Sequence, residues 1–164
     1  MNPVGELLSI HDIALGVDVS SKAGLLQRVA LMLAQRAGVT SADVLAGLTA
    51  REELGSTALG HGVAIPHARM PQCGASAGVF VRTKFGIDFD APDRRPVSMF
   101  LGLIVPKQAN ERHLKLLAAA ATMFSDRAFR ERLMLCSDSA GASRLLAAWP
   151  DFSLEPQLDK PAVP

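Results

Sequence analysis

Apolar residues recur at helical spacing in two segments near the start of the chain. In the segment 23–38, Leu25, Val29 and Leu33 fall four residues apart, with serines before the segment and a glycine at its end. That combination is typical of an amphipathic helix with capped ends. The segment 40–54 repeats the pattern behind a capping threonine. The periodicity therefore predicts two consecutive helices in the first third of the chain.

The pattern changes to short extended runs in the middle of the chain. Residues 63–65 and 77–89 are predicted strands, the second because apolar and polar positions partly alternate in it. The run 96–106 is almost entirely apolar between two prolines, which is typical of a central strand buried on both faces. Glycines and prolines separate the runs and mark the turns between them.

Helical periodicity returns after the last predicted strand. Three helices are predicted over 110–126, 126–136 and 138–149, each behind a capping Asn, Ser or Asp. Helices that precede and follow a set of strands favour an α/β domain, and consecutive helices at both ends argue against an all-parallel sheet. Residues 150–164 hold four of the ten prolines and are predicted to form a flexible tail outside the core.

Composition narrows the class of protein. A length of 164 residues suits one domain, and a hydrophobic content of 49% excludes a disordered chain. The net charge of +1 lacks the basic excess of a nucleic-acid-binding protein. The longest apolar runs, 99–105 and 116–124, are far shorter than the ~20 residues that a membrane-spanning helix needs. We therefore predict no nucleic-acid partner and no membrane insertion.

The N-terminus and the cysteines indicate a compartment. The first residues include no basic segment ahead of an apolar one and carry Glu6 and Asp12, unlike a secretory signal peptide. Cys73 and Cys136 are far apart and form no CxxC pair, so we expect two reduced thiols. Together these features predict a cytoplasmic protein.

The candidate chemistry rests on histidine, the side chain whose ordinary pKa lies nearest neutral pH. His67 follows Pro66 at the end of an apolar run, and proline forces the residue before it into an extended conformation. The run should therefore end abruptly and project His67 from a turn, although a solvated loop histidine fits the same pattern. His61 and His67 are six residues apart and match no metal-ligand spacing, so no metal site is predicted. The chain also lacks the serine-hydrolase elbow, the P-loop and the dinucleotide-binding glycine motif.

A second histidine, His113, lies in the first turn of the helix predicted over 110–126. It shares a face of that helix with Leu116, Leu117 and Ala120. Two interpretations remain open at this point. His113 is either a core histidine satisfied by a backbone carbonyl or a second imidazole directed at the same site from a rigid helix.

Two motifs identify a family resemblance. The first motif is the segment 48–69, which reads LTAREELGSTALGHGVAIPHAR. It contains an Arg-Glu pair, Gly-Ser-Thr, a glycine-flanked turn and Ala-Ile-Pro-His. The second motif, HLKLL, begins at His113. These motifs resemble the active-site signature of enzyme IIA proteins of the phosphoenolpyruvate phosphotransferase system. The resemblance is to the fructose/mannitol superfamily, and most of all to its nitrogen-regulatory branch. It spans about residues 5–148, which predicts one enzyme IIA domain.

The resemblance implies a fold, a reaction and a set of site residues. The fold would be a mixed β-sheet of about five strands flanked by helices on both faces. His67 would accept a phosphoryl group from the phosphocarrier HPr or its nitrogen-branch paralogue, with no cofactor. Arg51, whose planar fork matches phosphate oxygens, would stabilise that group, and His113 would supply a supporting hydrogen bond. The phosphate-binding loop would consist of Gly55, Ser56 and Thr57.

Three functions fit this resemblance. The first is a phosphotransferase component with a regulatory role linked to nitrogen or carbon status. The second is a sugar-transport enzyme IIA that passes its phosphoryl group to a IIB domain. The third is a binding module that no longer transfers phosphate. We expect the first, because the sequence carries no fused IIB, HPr-like or membrane domain.

Overall fold

The structure is a computed structural model that describes residues 2–108 and 110–151, without the side chain of Asn110. Apart from Pro150 and Asp151, the predicted tail lies outside the described residues. Within the described ranges, no helix has the length and apolar character needed to cross a membrane.

Helices and strands account for most of the described chain. The elements run in the order α1 (Pro3–Leu7), a 3₁₀ turn (Ile10–Asp12), β1 (Ile13–Val17), α2 (Lys22–Ala37), α3 (Ser41–Glu53), β2 (Ala58–Gly60), β3 (Val63–Ala64), β4 (His67–Met70), β5 (Ala77–Ile87), β6 (Val97–Pro106), α4 (Asn110–Ser125), α5 (Arg127–Leu135) and α6 (Ser139–Ala148).

The strands form one mixed sheet with helices on both faces. The order is β1-β5-β6-β3-β2, and β4 also pairs with β6. β5 and β6 are antiparallel, whereas β1 is parallel to β5, and β3 and β4 are both parallel to β6. Helices α2 and α3 pack on one face, and α1, α4, α5 and α6 pack on the other. The predicted α/β fold with a mixed sheet is confirmed, with six strands in the described residues rather than about five.

The apolar run predicted as a central strand is β6, and both of its faces are buried. Phe100 and Ile104 belong to the core on the α2–α3 side, whereas Leu101 and Leu103 belong to the core on the other side. A strand covered on both faces needs apolar residues at consecutive positions, which explains the unbroken run. Gly102 lies within it because a Cβ there would collide with Val29 Cγ1 on α2.

The predicted helices are confirmed to within one or two residues, but two N-terminal elements were not predicted. Both α1 and β1 are only five residues long. Asn2 caps α1 by accepting a hydrogen bond from the Gly5 backbone N–H, and its amide donates to the Leu146 carbonyl at 2.9 Å. The first helix is therefore held against the end of the last one.

The segment around Pro66 differs from the predicted turn. β3 and β4 keep one register along β6, since Val63 pairs with Met99 and His67 pairs with Leu103. Pro66 lacks an N–H and interrupts the strand, but its carbonyl accepts from the Leu103 N–H at 3.0 Å. His67 is therefore the first residue of β4 and does not lie in a turn, because parallel pairing resumes directly after the proline.

Candidate active site

His67 has one ring nitrogen committed to the backbone. Its Nδ1 lies 2.7 Å from the carbonyl oxygen of Ile65. A carbonyl can only accept, so Nδ1 carries the proton of the neutral ring and the free lone pair is on Nε2. The side chain is half-buried at the start of β4. The local backbone thus selects the tautomer whose outer nitrogen is nucleophilic.

His113 lies beside His67 in the first turn of α4. The two ring centroids are 5.2 Å apart, with the rings tilted by 48°. Only 6% of His113 is exposed, and its pKa is lowered to about 4 by burial first, and then by the charges of His67, Arg69 and Arg51. At neutral pH the His113 ring is therefore uncharged and can donate a hydrogen bond from one nitrogen while accepting at the other.

Two arginines bring positive charge to this pair of rings. Arg51 lies in the last turn of α3, and its Nη1 donates to the Gly55 carbonyl at 2.8 Å. Arg69 is exposed and follows His67 by two residues in β4, so both point to the same side of the strand. Each guanidinium lowers the pKa of both histidines. A dianionic phosphoryl group on His67 would meet these two charges.

The pKa of His67 reflects opposing influences. Burial lowers it most, and Arg51 and Arg69 lower it further. The hydrogen bond to Ile65 and the negative charge of Glu52 act in the opposite direction, and the net pKa lies below the ordinary value. His67 is therefore mostly neutral at pH 7, which is the state in which imidazole attacks as a nucleophile.

Close packing of α3 on β4 brings Arg51 to the site. A Cβ at Gly47 would lie 3.1 Å from Ala68 Cβ and 3.0 Å from Met70 Sδ. Arg51 is one helical turn beyond Gly47, so it extends from the same face of the helix. The glycine allows the helix to approach the strand that begins with His67.

The predicted phosphate-binding loop follows α3. Gly55 has φ +148°, a conformation that favours glycine, and its carbonyl accepts from Arg51. The Ser56 hydroxyl donates to the Phe89 carbonyl at 2.7 Å. The N–H and the hydroxyl of Thr57 both donate to the carboxylate of Glu52. These groups have partners within the protein, and a role for the loop in binding phosphate stays a prediction.

Comparison with known proteins identifies the family. Residues 6–149 match the family model described as phosphoenolpyruvate-dependent sugar phosphotransferase system, EIIA 2. The chain belongs to this family. It is 34% identical over 148 residues to the nitrogen regulatory protein of Bradyrhizobium diazoefficiens, covering 90% of this chain and 97% of that relative. The resemblance to the nitrogen-regulatory branch of enzyme IIA is thereby confirmed.

Solved structures of enzyme IIA proteins share the fold. The crystal structure of nitrogen regulatory protein IIA-Ntr from Neisseria meningitidis is 41% identical, with a TM-score of 0.84 over 87% of this chain and 98% of that one. IIA mannitol from Escherichia coli has a TM-score of 0.74 over 85% of this chain and 99% of that one. At 21% identity, the second comparison supports the fold alone.

The structure places three groups around His67 to which the sequence analysis gave no role. They are the Ile65 carbonyl, the guanidinium of Arg69 and the carboxylate of Glu52. Glu52 and Arg69 both fall within the matched motif, so their presence was visible, but the resemblance gave roles only to Arg51, the two histidines and the loop 55–57. The carbonyl of Ile65 could not be recognised from residue type, because every residue has one. In the described residues, no group of three or more His, Cys, Asp and Glu side chains could hold a metal ion.

Proposed function

We propose that this chain is a phosphocarrier that accepts a phosphoryl group on Nε2 of His67. The donor is HPr or its nitrogen-branch paralogue, and the phosphorylation state has a regulatory role. The hydrogen bond from His67 Nδ1 to the Ile65 carbonyl carries the proposal, because it leaves Nε2 as the free nucleophile beside Arg51, Arg69 and His113. Membership of the EIIA family supports the same reaction class.

The transfer needs positioning and charge stabilisation rather than acid–base chemistry at the acceptor. The bond between phosphorus and the donor nitrogen breaks, and its electron pair returns to the donor ring. The lone pair of His67 Nε2 forms the new bond to phosphorus while Nδ1 keeps its proton. Positive charge then develops on the acceptor ring, where the Ile65 carbonyl stabilises it. The transferring group is loosely bonded in the transition state, so fixed charges on its oxygens matter most.

Arg51, Arg69 and His113 would act on those oxygens. A guanidinium fork pairs with two phosphate oxygens at once, and charge-assisted hydrogen bonds are about twice as strong as neutral ones. His113, uncharged at pH 7, would donate one N–H. The Thr57 and Ser56 hydroxyls already donate within the protein, so the loop 55–57 would contribute mainly by anchoring Arg51 through Gly55.

The test is phosphorylation of the purified protein by phosphoenolpyruvate, enzyme I and HPr, followed by intact-mass measurement. We expect one added phosphoryl group that is lost in acid and kept in alkali, as for a phosphoramidate. His67→Ala should gain none, whereas the exposed His11→Ala serves as the matched control and should gain one. Phosphorylation of His67→Ala at the wild-type rate would refute the assignment.

A sugar-transport role is the second candidate. It is favoured by a 32% identity over 103 residues to the fructose-specific EIIA component of Haloferax volcanii, which covers 63% of this chain. Phosphorylated protein mixed with a fructose- or mannitol-type IIB domain would distinguish the two. Rapid transfer to IIB supports transport, and a phosphoprotein that persists beside IIB supports regulation. A chain that never gains phosphate would be the binding module considered from the sequence.

A further inference from the structure

Glu52 is a buried carboxylate beside the site that the phosphoryl-transfer scheme has not used. Its side chain is 4% exposed. One oxygen lies 2.6 Å from Thr57 Oγ1, and the Thr57 N–H donates to the carboxylate at 3.1 Å. Lys22 Nζ lies 2.9 Å from the other oxygen. A buried charge with this many partners holds its neighbours in one geometry, because releasing it would leave donors unsatisfied.

Thr57 connects Glu52 to the acceptor histidine. The carbonyl of Thr57 accepts from the Ile65 N–H at 3.0 Å, and the carbonyl of Ile65 accepts from His67 Nδ1 at 2.7 Å. Ile65 thus has its N–H fixed by Thr57 and its carbonyl aimed at the ring. The chain of hydrogen bonds runs from the Glu52 carboxylate to the group that sets the tautomer of His67.

Lys22 fixes Glu52 from the opposite side. Its Nζ is also 3.1 Å from Asp90 Oδ2 and 4.7 Å from the centre of the Phe89 ring. Burial alone would lower the pKa of Lys22, but hydrogen bonds to Glu52 and Asp90 raise it above its ordinary value. The ammonium group therefore stays charged and ties the start of α2 to the end of α3.

Arg51 depends on the same loop. It is the residue before Glu52, and it donates to the carbonyl of Gly55, two residues before Thr57. The loop 55–57 is therefore held at one end by Arg51 and at the other by Glu52. Loss of the second anchor would allow the loop, and with it both Arg51 and Ile65, to move relative to His67.

We propose that Glu52, paired with Lys22, is a positioning residue for phosphoryl transfer. It fixes Thr57, and through Thr57 it fixes the Ile65 carbonyl that holds the tautomer and orientation of His67. This inference rests on the phosphocarrier function proposed above. Glu52 touches neither the phosphoryl group nor the acceptor ring, so it acts through other residues.

Glu52→Gln keeps the shape and removes the charge. A displacement of about 1 Å at a reacting group can slow a reaction about a hundredfold, so we expect transfer from phosphorylated HPr to slow about ten- to a hundredfold. Because the charge of Glu52 raises the pKa of His67, that pKa should fall in the variant. Nitrogen NMR of the imidazole should also show more of the tautomer protonated at Nε2.

Two further variants separate positioning from general damage. Thr57→Val removes the hydroxyl that donates to Glu52 and retains the buried carboxylate, and it should slow transfer in the same direction. Asp12→Asn is the matched control, because Asp12 is a buried carboxylate, 5% exposed, that lies 3.6 Å from Arg36 Nε. It should lower stability without changing the transfer rate or the tautomer of His67.

The outcomes are distinguishable. Slower transfer with a changed His67 tautomer in Glu52→Gln or in Thr57→Val, and not in Asp12→Asn, supports the inference. Wild-type rates and an unchanged His67 spectrum in both variants overturn it, as does an equal effect in the control. If the wild-type protein gains no phosphoryl group, the proposed function fails, and the NMR comparison alone then decides whether Glu52 orients His67.

Discussion

Stability should depend on pH through His113, because folding holds that ring uncharged. The pKa is lowered to about 4 by burial and by the positive charges beside it, whereas an ordinary histidine titrates near 6.5. In the unfolded chain the ring takes up a proton as the pH falls below 6.5. In the folded protein it does so only near pH 4.

The difference between the two pKa values of His113 determines the direction and the size of the change in stability with pH. Between pH 6.5 and 4 the unfolded chain binds more protons than the folded one, so the free energy of unfolding decreases as the pH decreases. One pKa unit corresponds to about 1.36 kcal/mol, so a gap of about 2.5 units costs about 3 kcal/mol by pH 4. The lowered pKa of His67 acts in the same direction. A loss of this size is a large fraction of the about 5–15 kcal/mol that stabilises a domain.

The assay compares urea unfolding of the wild-type protein and His113→Gln at pH 7, 6, 5 and 4. Glutamine keeps a hydrogen-bonding amide and cannot ionise in this range. Titration of the carboxylates affects both proteins alike and cancels in the difference between them. We expect the variant to lose about 3 kcal/mol less than the wild type between pH 7 and pH 4. Parallel curves for the two proteins would show that His113 titrates normally and would refute the reasoning.

Two further predictions concern α3: one tests Arg51, and the other tests the close packing at Gly47. Arg51→Ala should slow phosphorylation of His67 about ten- to a hundredfold, which is the loss expected for a charge-assisted hydrogen bond. The melting temperature should stay nearly constant, because Arg51 is only partly buried and forms a single hydrogen bond to a backbone carbonyl. Phosphorylation kinetics measure the transfer rate, and thermal melting measures the stability of the variant. A large drop in melting temperature with an unaltered transfer rate would show that Arg51 is a structural residue. Gly47→Val should lower the free energy of unfolding by about 1–3 kcal/mol, because its side chain would press on Ala68 and Met70. Urea unfolding tests it, and an unchanged midpoint would mean that α3 and β4 have room to separate.

The long elements of the fold were predictable because their environment is reflected in their own residues. β6 is apolar at consecutive positions since both faces are covered, and the amphipathic stripe of α2 faces a single core. β1 could not be recognised in the same way. Its five residues include Gly16, and its central positions are not buried. It becomes a strand by pairing with β5, a partner more than sixty residues away, and that long-range pairing leaves no local periodicity.

The two histidines of the candidate site could be predicted from the sequence, whereas the contacts that support them could not. The motif around His67 and the helix starting near His113 were identified as parts of one site from family resemblance, and the structure brings the two rings together. Glu52 was visible as one half of an Arg-Glu pair, but its burial against Thr57 and Lys22 depends on how α2 meets α3. Residue type indicates that a carboxylate is present; only packing determines whether it is solvated or holds a loop.

Pro66 bears on both the pairing of the strands with β6 and the orientation of His67. In the sequence it marked the end of a strand, and in the structure the register on β6 continues through it. Without an N–H, Pro66 contributes only its carbonyl to β6, while Ile65 directs its N–H to Thr57 and its carbonyl to His67. Ile65 faces away from β6, so its carbonyl takes no part in pairing with that strand and can hold Nδ1 of the next side chain but one. A histidine placed two residues after a free carbonyl, at the start of a resumed strand, has its tautomer set by the backbone and its Nε2 left open for reaction.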